Sequence, residues 1–266
     1  MPESSSPEGN VQCISIPRQM QHANQKRSVT EMLDVAPFEF FAWVDKESLQ
    51  KFKFPAAMVE EGMDIELHWV TEDGSPAPMR SGAEIKPTVS DHPDFIPPFL
   101  INTERKEIKA DGQRAQDSFA SCPPLDIVLM GAHDVSYQTS ETEKAFIRKA
   151  YEQCSAFLTV CGGVLALLEA GLLQGKTATG PRMILDMMRK NAPFVNWVDK
   201  RWVRDGKIWS SSTLLNGTDL MRAFVEETWG GRNGMVEAML DAGHWPVRDV
   251  DFKDYQGQNY AVDSFE

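Results

Sequence analysis

The chain has 266 residues, 42% of them apolar and 25% charged, with a formal net charge of −12. That apolar share is enough for a sizeable core and excludes wholesale disorder. The excess of acidic residues, with no basic block, argues against nucleic-acid and anionic-membrane surfaces and for a small-molecule partner.

In chain order, "MPESSSPEGN" (1–10) is polar, acidic and rich in Ser and Pro, and reads as a disordered leader without a secretory signal. "VQCISI" predicts a first strand, "APFEFFAWV" a helix, and "MDIELHWVT" a second strand with alternating apolar positions. Residues 80–90 predict a short strand or hairpin. Residues 93–124 are polar and Pro-bounded, and read as an inserted loop.

The clearest unit spans 125–173. "LDIVLMG" is a nearly continuous apolar run, as expected of a strand buried on both faces. "SETE" offers a capping box, with Ser140 as N-cap and Glu143 reaching back, and Phe146, Ile147, Ala150, Tyr151 and Cys154 continue at helical spacing. "AFLTV" predicts the next buried strand, and "VLALLEAGLL" a helix ended by Gly171 or Gly175. Strand, helix, strand, helix with short connections predicts a parallel sheet covered by helices. Downstream come a helix at 183–190, a hairpin "KRWVRDGKIWSS" turning at Asp205-Gly206, and helices near 216–229 and 232–242. The whole reads as one α/β domain over 11–246, followed by an acidic, irregular tail over 247–266. The longest apolar run is interrupted by Gly162, Gly163 and Glu169 and falls short of a membrane span.

Cysteines stand at 13, 122, 154 and 161, without metal-ligand spacing, which favours reduced thiols in a cytoplasmic setting and neither a disulfide framework nor a metal site. Cys154 lies on the helical stripe and reads as core. Cys161 falls between a buried strand and a helix and is followed by two glycines. A side chain there projects from the C-terminal edge of the sheet, beside helix-start amides that favour a thiolate and a developing oxyanion. Position alone leaves open whether Cys161 is a nucleophile or a small core residue. An α/β-hydrolase or amidotransferase elbow wants Gly two residues earlier, where Thr159 stands. Its remaining partners reduce to Asp219 with His244, which have no supporting context.

"LTVCGGVLALLEAGLLQGKTATGP" and "RWVRDGKIWSSSTLLNGTDL", with "MLDVAPFEFF" and "LDIVLMGAHD" upstream, resemble the ThiJ/PfpI superfamily over most of 29–231. The resemblance implies a flavodoxin-like three-layer α/β sandwich with a nucleophile elbow, usually homodimeric. The "LD" form of the first segment is similar to isonitrile hydratases, cofactor-independent lyases in which an aspartate faces the elbow cysteine. Carried over by position, this implies Cys161 as nucleophile, Asp34 as acid/base, and the amides of Gly131, Ala132 and Gly162 as oxyanion or substrate donors. His133 is a further candidate donor. The residues alone read Asp34 as a helix N-cap before Ala36-Pro37.

Three departures from the superfamily pattern matter. Gly162 replaces a threonine, Gly180 replaces a histidine used in glyoxalase chemistry, and Ala132 replaces a glycine. The expected activity is hydration, or a related lyase step, on a small organic or natural-product substrate. The alternatives are a glyoxalase III-like lyase on reactive carbonyls and a non-catalytic redox or ligand sensor.

Overall fold

A computed structural model of the chain describes residues 11–16 by their backbone, together with residues 30–88, 117–133, 137–232 and 234–257. The leader at 1–10, most of the predicted insertion, Asp134 and the end of the tail lie outside the described residues.

The elements are β1 (Val11–Ile16), α1 (Met32–Val35), a 3-10 turn (Ala36–Phe38), α2 (Glu39–Val44), α3 (Lys46–Lys51), α4 (Ala56–Glu61) and β2 (Ile65–Trp69). The short strands β3 (Ala77–Pro78) and β4 (Glu84–Ile85) follow, then β5 (Ile127–Met130), α5 (Glu141–Gln153), β6 (Ala156–Thr159), a 3-10 turn (Cys161–Gly163) and α6 (Val164–Glu169). The C-terminal part holds β7 (Thr177–Ala178), a 3-10 turn (Arg182–Ile184), α7 (Leu185–Asn191), β8 (Asn196–Trp197), β9 (Trp202–Asp205), β10 (Ile208–Ser211), α8 (Asn216–Trp229) and α9 (Met235–Ala242).

Six strands form one sheet in the order β2-β1-β5-β6-β10-β9, parallel except for the β9–β10 hairpin. In the central strands every residue is buried, and alternate side chains serve opposite faces, as a pleated strand requires. Ile127, Leu129, Ala156 and Leu158 join Phe38, Phe41, Trp209, Phe224 and Trp229 under α2, α8 and α9. Val128, Met130 and Phe157 join Phe146, Ile147, Leu167 and Met188 under α5, α6 and α7. Helices thus cover both faces, and the flavodoxin-like α/β sandwich follows from the apolar runs. Among the described residues no helix is long and apolar enough to cross a membrane.

Several local expectations need correction. Ser140 does cap α5, accepting from the Glu143 amide at 3.1 Å, but the Glu143 carboxylate turns inward and accepts the Tyr137 hydroxyl at 2.9 Å. The helix after Cys161 runs to Glu169 and is closed by the left-handed Gly171 (φ 79°), the first of the two stops the sequence offered. The predicted hairpin near 80–90 sits slightly earlier, pairing Ala77 with Ile85. In β2 the fully buried residue is His68, whereas its apolar neighbours Leu67 and Trp69 are half-buried, as fits an edge strand. The tail is irregular over its described residues, as read, but it is packed on the domain. Arg201 bonds Asp254 at 2.5 Å, Lys200 bonds Asp251 at 2.8 Å, and Phe252 lies under the Arg182 and Arg201 guanidinium groups at 4.2 and 4.7 Å. Residues 247–257 are therefore fastened to the domain, and their acidity is matched by its own cations.

The boundaries of the insertion are also fastened. Thr88 exchanges bonds with the Trp69 backbone, and Asp117 donates its amide to the Thr88 carbonyl at 2.8 Å. The Asp117 carboxylate meets the His68 ring at 2.8 Å.

Candidate active site

The parallel strands β5 and β6 end side by side, and the chain turns sharply at the C-terminal edge of β6. Cys161 takes up that turn with φ +56°, a left-handed conformation that costs a non-glycine residue about 1–2 kcal/mol. The residue as a whole is partly exposed, whereas its thiol is buried. The turn is tight because Gly163 passes directly over the end of β5. A Cβ on Gly163 would stand 2.3 Å from the Met130 carbonyl oxygen and 2.8 Å from that of Gly131. Sequence pattern thus located an elbow, and the backbone strain argues for a positioned side chain over a mere core filler.

Asp34 is not a helix cap. It lies within α1, whose N-cap is Glu31, and its side chain is fully buried. One carboxylate oxygen, Oδ2, accepts the Ala132 amide at 3.1 Å, and the other, Oδ1, is buried without a hydrogen-bond donor. The approach needs a glycine, since a Cβ on Gly131 would come within 3.0 Å of the Asp34 Cβ. Burial raises the Asp34 pKa to about 7. The Ala132 amide opposes that rise, and nearby Glu31 adds to it. Burial likewise pushes the Cys161 thiol up to about 12, and the Asp34 carboxylate beside it adds to the rise. The amides of Leu214 and Gly162 act in the opposite sense as donors to the sulfur. The resting pair therefore resists carrying two negative charges.

The predicted donors divide by role. Gly162 faces the sulfur, whereas the Ala132 amide is spent on Asp34 and orients the carboxyl group. The Thr30 hydroxyl donates to the Ala132 carbonyl at 3.2 Å, fixing the same loop. His133 is buried, with its ring edge-on to Tyr137 at 5.6 Å. At Gly162 a Cβ would make only ordinary contact with Ala132, at 3.4 Å, so packing does not enforce the loss of the threonine found in relatives. Gly180 differs. A Cβ there would meet Met188 Cε at 2.8 Å and Val164 Cγ1 at 3.1 Å, so a larger residue requires these side-chain ends to shift.

Sequence reasoning missed Leu214. The turn that presents it, between β10 and α8, follows the strand that pairs with β6 in the register Ser210↔Thr159, which brings it beside the elbow. Asp219 and His244 do not form a catalytic pair. Asp219 takes a two-point bond from Arg248 at 2.5 and 2.8 Å, and His244 is exposed. Cys154 is buried in the core, as its helical position implied. Among the described residues no group of His, Cys, Asp and Glu could hold a metal ion.

The sequence profile of the DJ-1/PfpI family matches residues 50–227, a stretch that holds Cys161 and begins after Asp34. Isonitrile hydratase from Pseudomonas putida is 27% identical over 169 residues, which cover 63% of this chain and 61% of that protein. A ThiJ/PfpI family protein from Pseudomonas syringae superposes with a TM-score of 0.60 at 15% identity, covering 91% of this chain and 77% of that one. DJ-1beta from Drosophila melanogaster gives 0.60 at 12% identity, covering 90% and 100%. An AraC family transcriptional regulator from Pseudomonas putida gives 0.55 at 12% identity, covering 87% and 98%. At these identities the structural likenesses establish the fold alone.

Proposed function

The chain belongs to the DJ-1/PfpI family, and from that premise we propose that it is a cofactor-independent cysteine enzyme that hydrates an isocyanide or transforms a related small organic substrate. The observation that carries the reading is the buried Asp34, with Oδ1 unpartnered, electrostatically coupled to a strained, half-buried Cys161. The relative named isonitrile hydratase supports the same choice.

In this reading Asp34 takes the thiol proton, and the thiolate attacks the terminal isocyanide carbon. The carbon then accepts that proton from Asp34, giving a thioimidate, S–CH=N–R. Asp34 next takes a proton from water as the water oxygen adds to the same carbon. Asp34 returns that proton to nitrogen, the adduct's hydroxyl proton passes to sulfur as the C–S bond breaks, and the N-substituted formamide and the free thiol are released. The net change is addition of one water, with no oxidation. A carboxyl group whose pKa sits near neutrality suits both proton transfers. A glyoxalase reading is disfavoured by Gly180, which is packed beneath Met188.

The test is formamide production from alkyl and aryl isocyanides. Cys161→Ser and Asp34→Asn should each abolish turnover with the circular dichroism spectrum unchanged, and full activity in either variant would overturn the assignment. Oxidation of Cys161 at low peroxide, with no turnover of any isocyanide, would instead identify a sensor.

A further inference from the structure

A cavity of about 360 Å³ opens just beyond the C-terminal end of β10, the strand that runs parallel to β6. Small organic molecules occupy cavities of about 300–1,000 Å³, and open α/β sheets bind ligands beyond that end of their parallel strands. One wall is the turn through Thr213 and Asn216, and another is Arg182. The Ser212 hydroxyl ties the two segments together by donating to the Gly180 carbonyl at 3.0 Å. Arg201 enters from the residue before β9, and the tail adds Arg248 and Phe252. Three guanidinium groups thus line the space and, among the described residues, no carboxylate does, although the chain's net charge is −12. The Phe252 ring gathers two of them, with the guanidinium carbons of Arg182 and Arg201 at 4.2 and 4.7 Å from its centroid.

Each guanidinium serves one carboxylate set behind the cavity wall, Asp199 for Arg182, Asp254 for Arg201 and Asp219 for Arg248. Those pairs do not use up the donors. Arg182 spends Nε and Nη2 on Asp199, and Arg248 spends the same two atoms on Asp219 and the Leu215 carbonyl. Among the described residues that leaves the Nη1 side of each for a further acceptor. Arg201 is 3% exposed, and its Nε is buried without a hydrogen-bond partner. A buried donor on a charged group is costly without an acceptor, and an anion in the cavity supplies one.

We infer that this cavity is a binding site for a small organic carboxylate, which Arg201 and Arg182 recognise while Phe252 packs against its apolar body. The planar guanidinium fork matches the two oxygens of a carboxylate. Nothing in this assignment depends on the chemistry at Cys161.

The experiment titrates the full chain with benzoate by isothermal titration calorimetry at low salt. Benzamide serves as the neutral control of the same shape, and inorganic phosphate as the bare anion. Benzoate should saturate one site, and benzamide and phosphate should bind on the order of tenfold more weakly or not at all. Arg201→Gln removes the buried donor and should weaken benzoate by a similar factor. Arg182→Gln, on the more exposed side of the cavity, probes the same wall should the loss of Arg201 prevent folding, and melting curves identify folded variants. No saturable benzoate binding, or benzamide binding as tightly as benzoate, would overturn the anion site. Phosphate matching benzoate would overturn the organic ligand, and parental affinity in either folded variant would overturn the residues assigned to it.

Discussion

Replacing Asp34 with asparagine should remove activity and raise stability, in a pH-dependent way. The carboxyl group's pKa rises from 3.8 to about 7 because it is buried. At about 1.4 kcal/mol for each tenfold change in ionisation, the charged form costs the fold about 4 kcal/mol. The sign follows from linkage. With the folded pKa above the unfolded one, the stabilising contribution is fully present below about pH 4 and is lost as pH rises through 7. Asparagine cannot ionise, but it places an amide NH2 where Oδ1 now lacks a partner, a penalty of about 1–2 kcal/mol. The net gain at pH 8 is about 2–3 kcal/mol, or roughly 4–12 °C in Tm for a chain of this size. Thermal unfolding followed by circular dichroism at pH 4.5 and 8 measures it. The variant should match or trail the parent at the lower pH and exceed it at the higher. Parallel curves for the two proteins would refute the reasoning, because they would mean that Asp34 ionises as it does in water.

Cys161→Gly should be about 1 kcal/mol more stable than Cys161→Ala, since only glycine adopts φ +56° freely. Urea midpoints compare the two inactive variants, and an alanine variant of equal stability would count against elbow strain. Gly163→Ala drives a methyl group to 2.3 Å from a fixed carbonyl oxygen and should destabilise by about 2–3 kcal/mol or prevent folding. An unchanged urea midpoint would contradict the packing described. Burial works against a charged His68, but bonds from Asp117 and Glu66 outweigh it and raise its pKa from 6.5 to about 9. Its stabilising contribution is therefore present below about pH 6.5 and lost as pH rises through 9, and His68→Gln should flatten the Tm profile across that window. A steep decline persisting in the variant would place its cause elsewhere.

Much of this was legible because the signals are local. The run Ile127–Met130 and the stripe through Phe146, Ile147 and Ala150 are buried where their periodicity placed them, and the Cys-Gly-Gly break fell at the strand end. What escaped reading depends on contacts far apart in sequence. Asp34 next to Ala36-Pro37 has the local form of a cap. Its burial comes from the Ala132 amide, 98 positions away, which no nearby residue announces. His68 takes a polar place in the predicted alternation, and its burial makes sense only with Asp117, 49 positions away, as partner to its ring. Arg248 and Asp219, 29 positions apart, gave no sign of their ion pair, because only the fold brings them together. The four-residue α1 was set by tertiary packing, not by helix periodicity.

The join between Thr88 and Asp117 has a consequence for how this protein tolerates change in length. Two residues held at hydrogen-bond distance beside the edge strand form a closed neck, so the chain leaves and re-enters the domain at one point. Lengthening such a link costs only a slowly growing closure entropy, about 0.6 kcal/mol for each doubling. A change in the length of the link between positions 88 and 117 is therefore compatible with a closed neck and with the Asp117–His68 contact beside it, at small entropic cost.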